Sequence, residues 1–284
     1  MSELPGYDDA LQRVLAAVRP IEEAQRVSLA KSVGRVLALD IIADRDLPPF
    51  DRSQLDGYAV VAESIKTGVS LPVSGTIAAG TMASEPMPPA TCMAIATGAP
   101  LPSGSDAVVG HEDTDCGDPV RFACIGVSPG AAVHPRGADA RDGACLIEAG
   151  TMLAPQHLGI AASCGVCEMD VRRRPRCVVL TTGDEVVPVT KTPSDCQIRN
   201  GNAPMLMAAL DAMGAEVCAA VHLPDTVDDT NAAVGEAIER CDLVVTVGGI
   251  SEGARDHVLG AMHAAGGEVV LRKAAIQPGK PITV

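Results

Sequence analysis

Aromatic side chains are almost missing from this sequence: Tyr7, Tyr58, Phe50 and Phe122 are the only ones in 284 residues, and there is no tryptophan. Hydrophobic cores must therefore be filled by Val, Leu, Ile, Ala and Met. A stacking platform for exposed bases, which needs several aromatic faces, is excluded. No apolar run reaches the roughly 18 residues that a membrane-spanning helix requires. The opening MSELPGYDDA lacks the basic start and apolar stretch of a secretory leader. Positive charge is short as well. Lys and Arg number 22 against 36 Asp and Glu, a net charge of −14, which excludes nucleic acid or an anionic membrane as the main partner. The expected compartment is the cytoplasm, where the ten cysteines stay reduced thiols. Cys164-Gly-Val-Cys167 is the single CxxC, and no second Cys or His pair completes a zinc set. It reads as small apolar filler between a helix end and a strand.

What is present suits a globular enzyme. Hydrophobic residues make up 47% and charged residues 20%, enough for real cores, and the length predicts two or three compact units. Tyr7 to Val18 carries Leu11, Val14, Leu15 and Val18 at helical spacing before Pro20. From Leu47 to Gly130 short strands alternate with Gly and Pro turns, a β-rich module. A helix is predicted at Pro155 to Cys164, and Arg172-Arg173-Arg174-Pro175 reads as a solvated linker. The last third has a clear rhythm of strands at Cys177 to Leu180, Val217 to Val221, Leu243 to Val247 and Val269 to Leu271. Between them lie helices, the first capped by Asn202 with Leu206, Ala209, Leu210 and Met213 on one face, the second opened by Asp228 or Asp229, the third carrying Val258, Met262 and Ala265. Alternation of this kind predicts a doubly wound, mostly parallel α/β sheet.

Ligands of such sheets lie beyond the carboxyl ends of the strands. Three strand ends deliver polar or glycine-rich loops there: Thr182-Gly183-Asp184-Glu185, Pro224-Asp225, and Gly248-Gly249-Ile250-Ser251 leading to Asp256. Glycines after a strand let backbone N–H groups approach phosphate. Glu185, Asp225 and Asp256 would repel that phosphate unless Mg²⁺ lay between them. The pattern predicts a metal-dependent phosphate-ester or pyrophosphate site, with Glu185, Asp225 and Asp256 as the metal set. An isolated Asp56-Gly57 reads only as a turn.

Longer motifs carry a resemblance. PPFDRSQLDGYA (Pro48 to Ala59), TGAPLPSGSDAVV (Thr97 to Val109), GADARDG, TGDE, GGISEGARD (Gly248 to Asp256) and PGKP occur in the order and spacing of the molybdopterin molybdenumtransferases. The resemblance covers essentially the whole chain. It implies insertion of molybdenum from molybdate into adenylated molybdopterin (molybdopterin-AMP) with release of AMP and a need for Mg²⁺. It implies a homodimer, with molybdopterin adenylyltransferase and molybdoenzyme acceptors as further partners. The implied architecture is α/β and multidomain: an elongated mixed dimerisation domain (1–46 plus 131–173), a β-rich module (47–130) and a molybdopterin-binding α/β domain (174–284). Carried over residue by residue, Asp56, Asp139, Glu185, Asp225 and Asp256 would be catalytic, and Thr97, Thr182, Gly183, Gly248, Gly249, Ser251, Lys273 and Lys280 would hold the ligand.

The chain departs from the family pattern at several points. Ala132 and His134 stand where the family has Asn and Arg, leaving Arg136 as the substitute guanidinium. Asn200-Gly201-Asn202 replaces Asp-Ser-Asn, and Gln277 replaces a Lys. The family also continues past Val284 with a Leu-Pro-Gly-Asn-Pro loop and a small β-rich domain. The expectation is an α/β domain incomplete at its C-terminal end, without that last β domain. These departures leave open a second reading, a non-catalytic molybdopterin-binding or scaffolding relative.

Overall fold

The computed structural model describes residues 4–124, 126–249, 257–277 and 280–284. Two compact units emerge. One joins the segment ending at Ala38 to the segment beginning at Asp170, and the other is Leu39–Met169.

The first unit opens with helix α1 (Tyr7–Ala17), which carries acidic Asp8 and Asp9 in its first turn, where they suit the helix dipole. Only Ala10 of this helix is buried. It packs with Leu271 and Ala274, helped by Val14 and Ile276. The strand Ala24–Ser28 follows and pairs with Glu168–Arg172.

The second unit is built on a four-stranded sheet. Its strands are β1 (Gly57–Val60), β2 (Val73–Ile77), β3 (Cys92–Ile95) and β4 (Ala107–Gly110), in the order β2-β3-β1-β4. All four residues of β1 and of β4 are buried, because both faces are covered. Tyr58, Val60, Val109, Val120 and Phe122 fill one side, and Ala59, Ile77, Ile95, Ala99 and Val108 the other. The short strand Arg52–Ser53 pairs with Val133–His134, and helix α2 (Pro155–Ser163) starts on a proline that a first turn tolerates. Cys164 is buried behind α2, whereas Cys167 is exposed, so only one of the two thiols is filler.

The rest of the first unit is a doubly wound α/β layer. Strands β5 (Arg176–Thr182), β6 (Glu216–Leu223) and β7 (Leu243–Val247) form a parallel sheet in the order β6-β5-β7. Helix α3 (Asn202–Ala212) covers one face. Helices α4 (Val227–Arg240) and α5 (Val258–Ala264) cover the other, where Val178, Leu180, Leu223, Val234, Ala237 and Ala261 form one core. The central strand is continuously apolar because it is covered on both faces. Cys177, Val178, Val179 and Leu180 are all buried.

Several local expectations are corrected. Val269–Leu271 is not a fourth parallel strand: Leu271 exchanges backbone hydrogen bonds with Val284 (2.9 and 3.0 Å), and Arg272 bridges Thr283. Burial of Leu271 against α1 holds it there. Asn202 does not cap α3 but lies within it, and Asn200 Oδ1 accepts the Ala203 N–H at 3.1 Å instead. Met213 is 82% exposed because it is the C-cap of α3, past its last helical residue Ala212. Thr226, not an aspartate, caps α4 by accepting the Asp229 N–H. Arg173 is no solvated linker residue: its guanidinium binds both oxygens of Asp242 at 2.6 and 2.8 Å and Glu23 at 2.5 Å.

Candidate functional site

Strand register decides the site's geometry. Thr182 lies beside Leu223 and Thr181 beside Val247, so β5, β6 and β7 all end on one edge. Alternation along β5 then splits the two threonines. Thr182 shares the α5 face with Val178 and Leu180, and Thr181 points to the α3 face.

Thr182 underpins the glycine turn after β7. A Cβ on Gly248 (φ +91°) would stand 2.5 Å from Thr182 Oγ1, and one on Gly249 (φ +68°) 2.6 Å from Val258 Cγ2. Both residues hold left-handed backbone that a side chain would strain, and both are crowded, so glycine is required twice. Gly183 (φ +130°) needs glycine for its backbone alone: the atoms nearest to where its Cβ would be, at 2.8 and 2.9 Å, are the carboxylate oxygens of the exposed and movable Glu185 side chain. Thus Thr182, Gly183, Glu185, Gly248 and Gly249 are brought together by packing.

The loops after β5 and β6 are tied to each other. The Asp184 N–H donates to Asp225 Oδ2 at 3.4 Å, and the Asp225 N–H donates to Asp184 Oδ1 at 3.2 Å. Each carboxylate therefore holds the other loop's backbone, which keeps two negative groups on one edge beside exposed Glu185. Asp184 was not singled out from the sequence, although TGDE contains it; only the reciprocal pairing distinguishes it from its neighbour. The described carboxylates suit Mg²⁺, which takes one or two protein carboxylates and completes its octahedron with water and phosphate. Among the described residues no three Asp, Glu, His or Cys side chains converge closely enough to hold a metal alone. Ser251 and Asp256 lie outside the described residues.

The two candidate lysines sit on the turn pinned to α1. The Lys273 N–H donates to Ile282 O at 2.7 Å, and Lys280 O accepts the N–H groups of Ile282 and Ala274. Lys273 has φ +64°.

The remaining candidates belong to the other unit, around Arg52–Ser53. The Gly98 N–H donates to Ser53 O on one side of that strand, and the Gln54 N–H donates to Ala132 O on the other. On the first side, the Thr97 N–H donates to Asp56 Oδ1 at 2.8 Å. Thr97, through its N–H first and then its hydroxyl, holds the Asp56 carboxyl below the usual carboxylate range. The adjoining Gly57 admits no side chain, since a Cβ would meet Val109 O at 2.0 Å. On the second side, His134 Nε2 and Asp139 Oδ1 are 2.9 Å apart. Asp56 and Asp139 thus form two separate pairs, one with Thr97 and one with His134.

Residues 6–165 match the MoeA N-terminal region (domain I and II), and residues 178–284 match a probable molybdopterin binding domain. Molybdopterin molybdenumtransferase 2 of Mycobacterium tuberculosis is 36% identical over 291 residues, covering 99% of this chain and 71% of that protein. The chain belongs to the molybdopterin molybdenumtransferase family. A second member, from Synechococcus elongatus, is 34% identical over 97% of this chain and 71% of its own length. The crystal structure of the molybdopterin biosynthesis moeA protein from Pyrococcus horikoshii superposes with a TM-score of 0.86 at 26% identity, over 99% of this chain and 72% of that one.

In this member of the family the departures have definite surroundings. His134 is held by Asp139. Arg136, the substitute guanidinium, donates through Nε to Asp46 at 2.7 Å, so its charge is already engaged. Asp46 is kept below its ordinary range by the Asp142 N–H first and by Arg136 second. Asn200 is drawn in: its Nδ2 donates to Thr181 Oγ1 at 2.9 Å, and His222 Nδ1 lies 3.1 Å from the same hydroxyl. Sequence reasoning passed over Thr181 and His222, whose meeting depends on the β5–β6 register and not on any local motif.

Proposed function

We propose that this chain acts in molybdenum cofactor biosynthesis as a transferase, inserting molybdenum from molybdate into adenylated molybdopterin with release of AMP in a Mg²⁺-dependent step. One observation carries the reading most: Asp184 and Asp225 clasp the two loops at the carboxyl edge of the sheet, beside a glycine turn that leaves backbone exposed. Bound Mg²⁺ would neutralise pyrophosphate charge and stabilise the departing AMP. Glu185 and Asp225 would hold it, with Asp256 as third ligand. The Gly183, Gly248 and Gly249 backbones, with Thr182 behind them, would admit the phosphates closely. Lys273 and Lys280 would offset the remaining anionic charge. Water would form the new P–O bond at the molybdopterin phosphorus as the pyrophosphate bond breaks and AMP leaves, with a carboxylate of the edge taking the water's proton. Molybdate would give up oxide as water as the two pterin sulfurs bond to molybdenum. Asp56 with Thr97, and Asp139 with His134, would come across the dimer interface from the second copy to shape the metal-insertion end. Positioning and electrostatics would supply the rate, with no covalent intermediate.

We read the working form as a homodimer. Tyr7, Leu11 and Leu15 of α1 and Val18 just past it are 64, 40, 55 and 61% exposed, an apolar stripe suited to a second copy. No helix among the described residues is long and apolar enough to cross a membrane, and the ten free thiols fit a cytoplasmic setting.

The test is AMP release from molybdopterin-AMP with molybdate and Mg²⁺, followed by chromatography. Release above a blank, abolished by Asp225→Asn, is expected; no release by the parent protein refutes the enzymatic reading. A second reading, a non-catalytic molybdopterin-binding relative, is favoured by the commitment of Arg136 to Asp46. It requires saturable binding without AMP release.

A further inference from the structure

The α3 face of the same edge holds a feature that the phosphate reading leaves unused. A cavity of about 160 Å³ opens between α3 and the last turns of β5 and β6. Thr181, Asn200 and His222 supply its polar side, and Pro188, Ala203 and Pro204 supply apolar wall. Pockets that bury a whole drug-sized ligand begin near roughly 300 Å³. This one has room for a single ring system, with the rest of a ligand outside it.

The polar side has a defined donor pattern. Asn200 Oδ1 accepts the Ala203 N–H at 3.1 Å, which orients the amide, and Asn200 Nδ2 donates to Thr181 Oγ1 at 2.9 Å. Thr181, 3% exposed, has one proton left to give. His222 Nδ1 lies 3.1 Å from that hydroxyl and Val221 O 3.5 Å. Nδ1 of His222 is thereby engaged with Thr181, which leaves Nε2 as the ring atom to meet a ligand. His222 is itself exposed. The chain Ala203–Asn200–Thr181–His222 thus orients an imidazole beside aliphatic walls.

We infer that this recess is a ring-binding subsite, taking a planar nitrogen heterocycle of the pyrophosphate-linked ligand with His222 Nε2 as hydrogen-bond partner to an atom on the ring's rim. The inference rests on the proposed phosphate site at the Asp184–Asp225 edge. Its volume admits one ring system, and its polar side suits a ring with nitrogen or oxygen on its rim. Adenine and pterin share that chemistry. His222 would position the ring; it takes no part in bond making.

Calorimetric titration separates the possibilities. In Mg²⁺ buffer, the protein is titrated with AMP, with a 6-substituted pterin and with inorganic pyrophosphate. His222→Ala should weaken one ring probe about tenfold, the loss expected for one hydrogen bond, and leave pyrophosphate unchanged. His222→Gln, which restores a hydrogen-bonding side chain, should recover most of that loss. Ala203→Leu, which fills the recess, should weaken the same probe, with far-ultraviolet dichroism confirming that both variants fold. A response of AMP assigns adenine, and a response of the pterin assigns that ring; either supports the subsite. Ring probes that ignore both substitutions, or fail to bind a parent protein that binds pyrophosphate, overturn it. Absent pyrophosphate binding with His222-dependent ring binding retained would overturn the phosphate reading and leave the subsite standing.

Discussion

Replacing Gly248 by alanine tests whether the glycine turn is built on Thr182. At φ +91° the new Cβ would stand 2.5 Å from Thr182 Oγ1 and 3.1 Å from Thr182 O. Left-handed backbone costs an L residue about 1–2 kcal/mol, and relieving the two contacts costs about as much again. The sum is about 2–4 kcal/mol, lost from the end of β5 where Thr182 pairs with Leu223. Hydrogen exchange read by mass spectrometry on β5 peptides should show protection reduced roughly 30- to 700-fold. Thr182→Ala removes the hydroxyl obstacle but leaves the carbonyl contact and the backbone strain. The double variant should therefore retain about 1 kcal/mol more stability than the sum of the single losses. Protection within about threefold of the parent in Gly248→Ala, or strict additivity in the double variant, would refute the packing argument.

Two shorter predictions follow from other contacts. The Asp242 carboxyl, held by the Arg173 guanidinium, lies at about 2 instead of 3.8; its depressed value makes a contribution of roughly 2 kcal/mol that is complete above about pH 4 and fades as pH falls toward 2. Urea titrations should accordingly find Asp242→Asn weaker than the parent at pH 7 and equal to it near pH 2. Leu15→Glu, on the exposed stripe of α1, should halve the sedimentation mass if that helix faces a second copy, and an unchanged mass would remove α1 from the interface.

The sequence made the β5 layer legible because a strand buried on both faces has to be apolar throughout: Cys177 to Leu180 could hardly be anything else. Gly248-Gly249 and Gly183 were legible as places where backbone N–H groups can approach a phosphate, whereas the crowding at Gly248 and Gly249 was not. Long-range choices were not legible. Leu271 pairs with Val284 because burial against α1 outweighs its strand propensity, and nothing near Leu271 records that. In TGDE, two adjacent carboxylates look alike until Asp225 selects Asp184 across the loop. Asn200 stood out only as a departure from a family pattern, and its partner His222 is twenty-two residues further on, joined to it only through the register of two strands. The helix α1 showed its apolar spacing plainly, yet most of that stripe faces outward, because periodicity reveals a face and not what covers it.

The central claim is that the acidic loops at the carboxyl edge hold a divalent cation together with pyrophosphate. Mn²⁺ can stand in for Mg²⁺ and be counted by electron paramagnetic resonance. Pyrophosphate should tighten Mn²⁺ binding at one site in the parent protein, and Asp225→Asn, which keeps the hydrogen-bonding shape but removes the charge, should abolish that gain. Mn²⁺ binding that is indifferent both to pyrophosphate and to Asp225→Asn would contradict the account.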